Sequence, residues 1–143
     1  MMHGRKYLFS SIAALCAFAS SASAQDVPCD ANGSNTLVMA ACAGAAYKEA
    51  DEVMNAIYAE LLKQAQALDQ AATIQSTDKA ADRLRKAQRA WLVWRDAECP
   101  LRSMRNLGGT IERIAIPNCL AALTSQRSEQ LAELVKASAV QAK

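Results

Sequence analysis

The sequence holds a single histidine, His3, and two phenylalanines, Phe9 and Phe18, all in its first twenty residues. That stretch has the layout of an export signal: Arg5 and Lys6, then a largely apolar run from Leu8 to Ala19, then the small residues Ala22-Ser23-Ala24. Cleavage is expected after Ala24, so that 1–24 is a signal peptide and 25–143 a single domain. The mature chain then has no histidine at all. This excludes Ser/His and Cys/His catalysis, zinc or haem held through histidine, and a histidine pH switch. No later apolar run approaches the roughly 20 residues that span a bilayer, so no transmembrane segment is expected. The product is expected in the periplasm or outside the cell.

An excess of charge is also missing. The segment 1–24 carries two of the 16 basic groups and none of the 14 acidic ones, which leaves the mature chain neutral. A neutral chain has no electrostatic footprint for nucleic acid or for an anionic membrane. Lipidation at Cys16 is not expected, because Leu15 stands where a lipobox needs a small residue. The remaining cysteines, Cys29, Cys42, Cys99 and Cys119, form no C-x-x-C grip for a metal. Four thiols in an oxidising compartment predict two structural disulfides, with no metal and no cofactor.

Glycine, proline and β-branched runs are scarce, whereas Ala, Leu, Gln, Glu, Lys and Arg abound. This composition predicts an all-α fold, a small antiparallel bundle of three main helices stapled by two disulfides. Asn35 or Thr36 is placed to cap a first helix reaching about Asp69, with an apolar stripe through Met39, Cys42, Ala46, Ala50, Val53, Ile57, Leu61 and Leu68. Thr77 is expected to cap a second helix that ends at Cys99 before Pro100. Its stripe takes in Ala81, Leu84, Ala87, Trp91 and either Trp94 or Arg95. The 100–117 segment reads as mixed structure with one short helical turn near Thr110–Ile114. Asn118 is expected to cap a third helix whose inner side is Leu120, Leu123, Arg127, Leu131 and Leu134, fraying after Lys136. A hairpin of the first two helices gathers the cysteines at one end, and all three pairings stay open there.

Two polar lines stand on otherwise apolar helix faces. Gln88, Trp91 and Arg95 recur along one side of the second helix, and Tyr47, Asp51, Met54 and Tyr58 along one side of the first. With Cys42 and Cys99 level, equal rise per residue brings Asp51 within reach of Arg89 or Arg95. A partly buried Asp51–Arg95 pair is expected to fix the register of the two helices.

Cys29, Met39-x-x-Cys42, Tyr47-x-x-Ala50-Asp51, Met54-Asn55-x-x-Tyr58, the run Ala87-Gln88-Arg89-Ala90-Trp91-Leu92-x-x-Arg95-Asp96-x-x-Cys99, Gly108-Gly109, Cys119 and Leu123-Thr124-x-x-Arg127 together resemble the secreted domain family named after the lysozyme inhibitor LprI. The resemblance covers nearly the whole mature chain. It implies a small disulfide-linked helical domain exported to a bacterial envelope, and a partner that is lysozyme or another envelope protein. It also marks Tyr47, Asp51, Asn55, Tyr58, Gln88, Trp91, Arg95 and Arg127 as packing and ion-pair residues.

A lysozyme cleft holds two carboxyl groups, and an inhibitor can occlude it with a loop whose cationic donors engage them. Pro100 to Gly109 is the best such segment, with Arg102, Ser103, Arg105 and Asn106 as the expected contact residues. Catalysis is not expected: the acidic residues alternate with Lys and Arg as on solvated faces, and neither a phosphate loop nor a G-x-S-x-G elbow occurs. The alternative is an envelope interaction module without anti-lysozyme activity, which an exposed Val93 or an outward-facing tryptophan would favour.

Overall fold

The computed structural model describes residues 29–30, 35–73 and 77–141. The expected signal peptide, 1–24, lies outside the described residues. Three helices make up the fold: α1, Thr36–Ala71; α2, Ala80–Arg102; and α3, Glu112–Gln141, with a single 3-10 turn, Met104–Asn106, between α2 and α3. Among the described residues there is no strand. The fold is thus the expected all-α bundle with two disulfides.

The helix ends follow from local chemistry. Asn35 caps α1, its Oδ1 accepting from the Val38 amide at 2.9 Å. The start of α2 is capped from a distance, and not by Thr77 as the sequence led one to expect. Lys79 occupies the cap position without a side-chain bond. Asp69, on the last turns of α1, supplies the acceptors instead: Oδ1 takes the Ala80 amide at 2.7 Å and Oδ2 the Ala81 amide at 3.1 Å. One carboxylate therefore satisfies two orphan amides, sits at the positive end of the α2 dipole, and ties the two helices at their turn.

The amide of Ala81 is the main reason the Asp69 carboxyl is held below its ordinary value; desolvation opposes this, and Ala80, Lys79 and Arg85 add to it. A depressed folded-state pKa gives stability that is present above the ordinary carboxylate range and is lost as pH falls through the lowered value. Asp69→Asn is therefore expected to melt below the wild type at about pH 6, and the gap should be narrower at about pH 3. Calorimetric scans at the two pH values check this.

Two prolines fail to stop their helices. Continuing through Pro100, α2 runs to Arg102, and α3 begins at Glu112, so Pro117 and Asn118 lie inside it. A proline in a helix interior loses one hydrogen bond and costs about 3 kcal/mol or more. Each of these lies within two residues of a bridged cysteine, where a cross-link holds the neighbouring helices together. Beyond Pro100, the Ser103 amide donates back to Cys99 and Pro100, and Arg102 pairs with Glu98 at 2.8 Å. At the other end α3 continues past Lys136, in keeping with its alanine-rich tail.

The most extensive packing is between α1 and α3, with α2 laid against both. Cross-helix contacts at the levels of Asp51–Arg95–Thr124 and Met54–Gln88–Arg127 make α1 and α3 run in the same direction and α2 opposite. The apolar centre is small: Met54, Leu61 and Leu131, flanked by Ile57, Tyr58, Leu84, Trp91, Leu92 and Val135. The buried line on α1 is Ala43, Met54, Leu61 and Ala65; of the expected stripe Leu61 is buried and Ile57 packs on the core, whereas Met39, Val53 and Leu68 are exposed. The helix is turned by roughly 60° from that expectation. That turn brings Tyr47 and Asp51 toward the interior and leaves Ala46, Ala50, Val53 and Ile57 lining an open α1/α3 groove of about 440 Å³.

The disulfides pair Cys29 with Cys42 and Cys99 with Cys119. The first ties the segment before α1 to that helix. The second joins the end of α2 to α3 and closes the intervening turn into a loop of sequence separation 20.

Candidate functional site

Arg95 is the polar centre of the bundle. It is 4% exposed, and of the two residues that could have faced inward at this level it is the one that does. Its guanidinium reaches all three helices. Nε donates to Asp96 Oδ1 at 2.9 Å, Nη2 lies 2.8 Å from the same oxygen, and Nη1 donates to Thr124 Oγ1 at 3.2 Å and to Asp51 Oδ1 at 3.4 Å. Tyr47 and Trp91 close over it, their ring centres 5.3 and 5.2 Å from the guanidinium carbon. Burying this cation is tolerable because its donors are used and its faces are covered by aromatic π-systems.

A second layer lies about one turn further along. The buried Gln88 donates to the Met54 sulfur at 3.3 Å and accepts from Arg127 Nε at 3.0 Å. Arg127 also donates to Gln130 and stacks on Trp91 with its guanidinium carbon 5.7 Å from the ring centre. Partial burial holds the Arg127 pKa below its ordinary value. Tyr58 is half-buried against the core, and Asn55 is exposed, bonded through Nδ2 to Asp51 at 2.9 Å. Most of the polar residues singled out in the sequence thus meet in two stacked layers, and their functional groups are spent on one another.

The sequence reasoning assigned no role to Thr124 or Asp69. Thr124 is fully buried, accepts from Arg95, and has its own carbonyl taken by Ser128 Oγ at 3.0 Å. Its position between Leu123 and Arg127 on the inner side of α3 was the available signal. For Asp69 there was none, since a cap supplied from another helix leaves no local spacing.

The bridged end of the molecule has the opposite character. Leu101, Met104, Leu107 and Ile111 are all exposed there, Leu107 at 82%. Interleaved with them, Arg102 is exposed and paired with Glu98, while Arg105 is exposed and makes no ion pair among the described residues. Asn106 is half-buried, and Ser103 is buried with an unpartnered hydroxyl, so Ser103 does not present its side chain to solvent.

The loop is nonetheless ordered by its backbone. The Asn106 amide donates to Ser103, Gly109 to Asn106, and Glu112 to Gly109. Gly108 takes φ 72°, the left-handed region that favours glycine, and its amide donates to Glu112 Oε2 at 2.8 Å.

Among the described residues no cluster of His, Cys, Asp and Glu could hold a metal ion, and no helix is long and apolar enough to cross a membrane. The fold and its surfaces define a class: a cystine-stapled three-helix domain with a spent polar interior and an exposed apolar and cationic cap at one bridged end. The chain belongs to the family described as "Lysozyme inhibitor LprI", which matches residues 29–131. A relative from Rhizobium meliloti (strain 1021), described as an uncharacterized protein, is 34% identical over 106 residues, covering 66% of this chain and 70% of the relative. No solved structure matches the chain.

Proposed function

We propose that this protein is an exported inhibitor of lysozyme that acts without a cofactor, and that the Cys99–Cys119 loop is the surface that occludes the enzyme's cleft. The carrying observation is the cap itself: exposed Met104 and Leu107 flank Arg105, a cation with no ion pair among the described residues, on a turn ordered by its own amides. Family membership supports lysozyme as the partner. The chemistry supports the mode, since a lysozyme cleft holds two carboxyl groups and an arginine fork can engage a carboxylate through two parallel bonds. A loop already held in one conformation loses little entropy on binding.

Arg105 and Leu107 are the principal contact residues in this reading, with Asn106 and Arg102 beside them. Arg102 must share its guanidinium with Glu98, and Ser103 serves the loop from inside. Export is supported by the layout of 1–24 and by the two disulfides, which persist in oxidising compartments.

The test is titration calorimetry of the oxidised protein into an inhibited lysozyme. Arg105→Ala/Leu107→Ala should weaken binding about 100-fold, the size of a small hot spot, with an unchanged circular dichroism spectrum and melting temperature. Full affinity in that variant would remove the loop from the interface.

A further inference from the structure

One surface of α2 takes no part in the bundle. Its core side is Ala81, Gln88, Arg95 and Cys99. On the opposite side Ala90, Val93, Trp94, Ala97 and Leu101 recur at helical spacing, all exposed, with Val93 at 72%. Such spacing is the seam of a helix that packs on another helix, and the small Ala90 and Ala97 on either side of Val93 let two backbones approach closely.

The charges beside this stripe are divided along the helix. Lys86 and Arg89 lie in its first half and Asp96 in its second, while Asp82, Arg83 and Glu98 are already paired with Arg85, Asp78 and Arg102. A parallel partner of the same sequence would set like charge against like. An antiparallel one sets the basic half against the acidic half, twice over.

We propose that the exposed face of α2 is a self-association surface on which a second copy of this chain packs antiparallel, about a twofold axis passing near Val93. Residues equally spaced from that axis come level, so Arg89 meets Asp96 of the second copy, on the flank of the stripe that the two share. Asp96 keeps its contact with Arg95, and being exposed it has acceptor capacity left for Arg89. The stripe spans about three turns, which puts the interface at the small end of specific ones, about 1,200 Å² or less in total, and the dimer in the micromolar range. The 23 residues of α2 are about 35 Å long, so the antiparallel arrangement sends the two bridged loops to opposite ends. Association therefore stands apart from whatever the loops bind.

Sedimentation equilibrium of the oxidised protein at about 100 µM tests this. The expected mass is twice that of one chain. Val93→Glu should give a single-chain mass with unchanged helicity and melting temperature, since Val93 touches no core residue. Arg89→Glu and Asp96→Arg, each reversing both pairs, should weaken association about tenfold, and an equimolar mixture of the two should recover it, because only the heterodimer has every pair matched. A single-chain mass in the wild type, or a double mass unchanged by Val93→Glu, overturns the proposal. A double mass abolished by Val93→Glu but without recovery in the mixture overturns the antiparallel arrangement.

Discussion

Replacing Arg95 with alanine will cost the domain about 3–4 kcal/mol of unfolding free energy, the largest loss expected from a single non-cysteine substitution. The magnitude follows from what the side chain touches. Truncation strips Thr124 Oγ1 of its donor inside the bundle, opens a void between Tyr47 and Trp91, and removes the contact with Asp96, much of which water can replace because Asp96 is exposed. Hydrogen bonds to a charged group contribute about 1.5–3 kcal/mol each when buried, and the void adds to that. The Asp51 contact is the smaller part. It is 3.4 Å long and Asp51 is about a third exposed, so water can replace much of it.

A double-mutant cycle separates the two contributions. Asp51→Asn should couple to Arg95→Ala by less than about 1 kcal/mol, whereas Thr124→Val should couple more strongly. Arg95→Lys should recover only part of the loss, because an ammonium cannot reach Thr124 and Asp96 in the same fork or lie flat between two rings. Urea unfolding at neutral pH measures all of these.

Removing the Cys99–Cys119 bridge should lower stability by about 3 kcal/mol and abolish lysozyme binding as well. The stability part comes from the unfolded chain, which regains the freedom of a loop of sequence separation 20. Cys29–Cys42 closes a shorter loop, of separation 13, yet the logarithmic dependence makes its removal nearly as costly. The two bridges should therefore differ little in stability and strongly in the proposed binding. Cys99→Ala/Cys119→Ala frees the 3-10 turn and the Gly108 corner, so that binding must order the loop first. Cys29→Ala/Cys42→Ala leaves that loop closed and should keep its affinity for lysozyme. Denaturant melts paired with binding titrations of both variants check this, and equal losses of binding would contradict the role given to the Cys99–Cys119 loop.

What could be read from the sequence depended on whether a signal was local. Helix content followed from composition, and the Asn35 cap and the inner side of α3 at Leu123 and Leu131 followed from spacing. The level of Asp51 against Arg95 needed only equal rise along two antiparallel helices. The facing of α1 was lost because its alanines give little contrast around the helix. The sequence favoured an interior place both for the line through Tyr47 and Asp51 and for the stripe through Met39 and Val53, and only the first packs inward.

The helix ends were misplaced for a different reason. Pro100, Pro117 and Asn118 carry strong local stop or start signals, and the cross-link between Cys99 and Cys119 overrides them. Asp69 reaches its amides across eleven residues, beyond any local pattern. At the cap, the arginines were visible in the sequence but their company was not. That Ser103 turns inward while Leu107 stands out depends on the 3-10 turn, which no periodicity announces.

The most direct measurement is the rate of peptidoglycan lysis by c-type, g-type and i-type lysozymes as the oxidised protein is titrated in. Saturating inhibition of at least one type at near-equimolar protein, relieved when the disulfides are reduced, is the predicted result. Lysis by all three that stays unchanged at large molar excess would contradict the inhibitor reading.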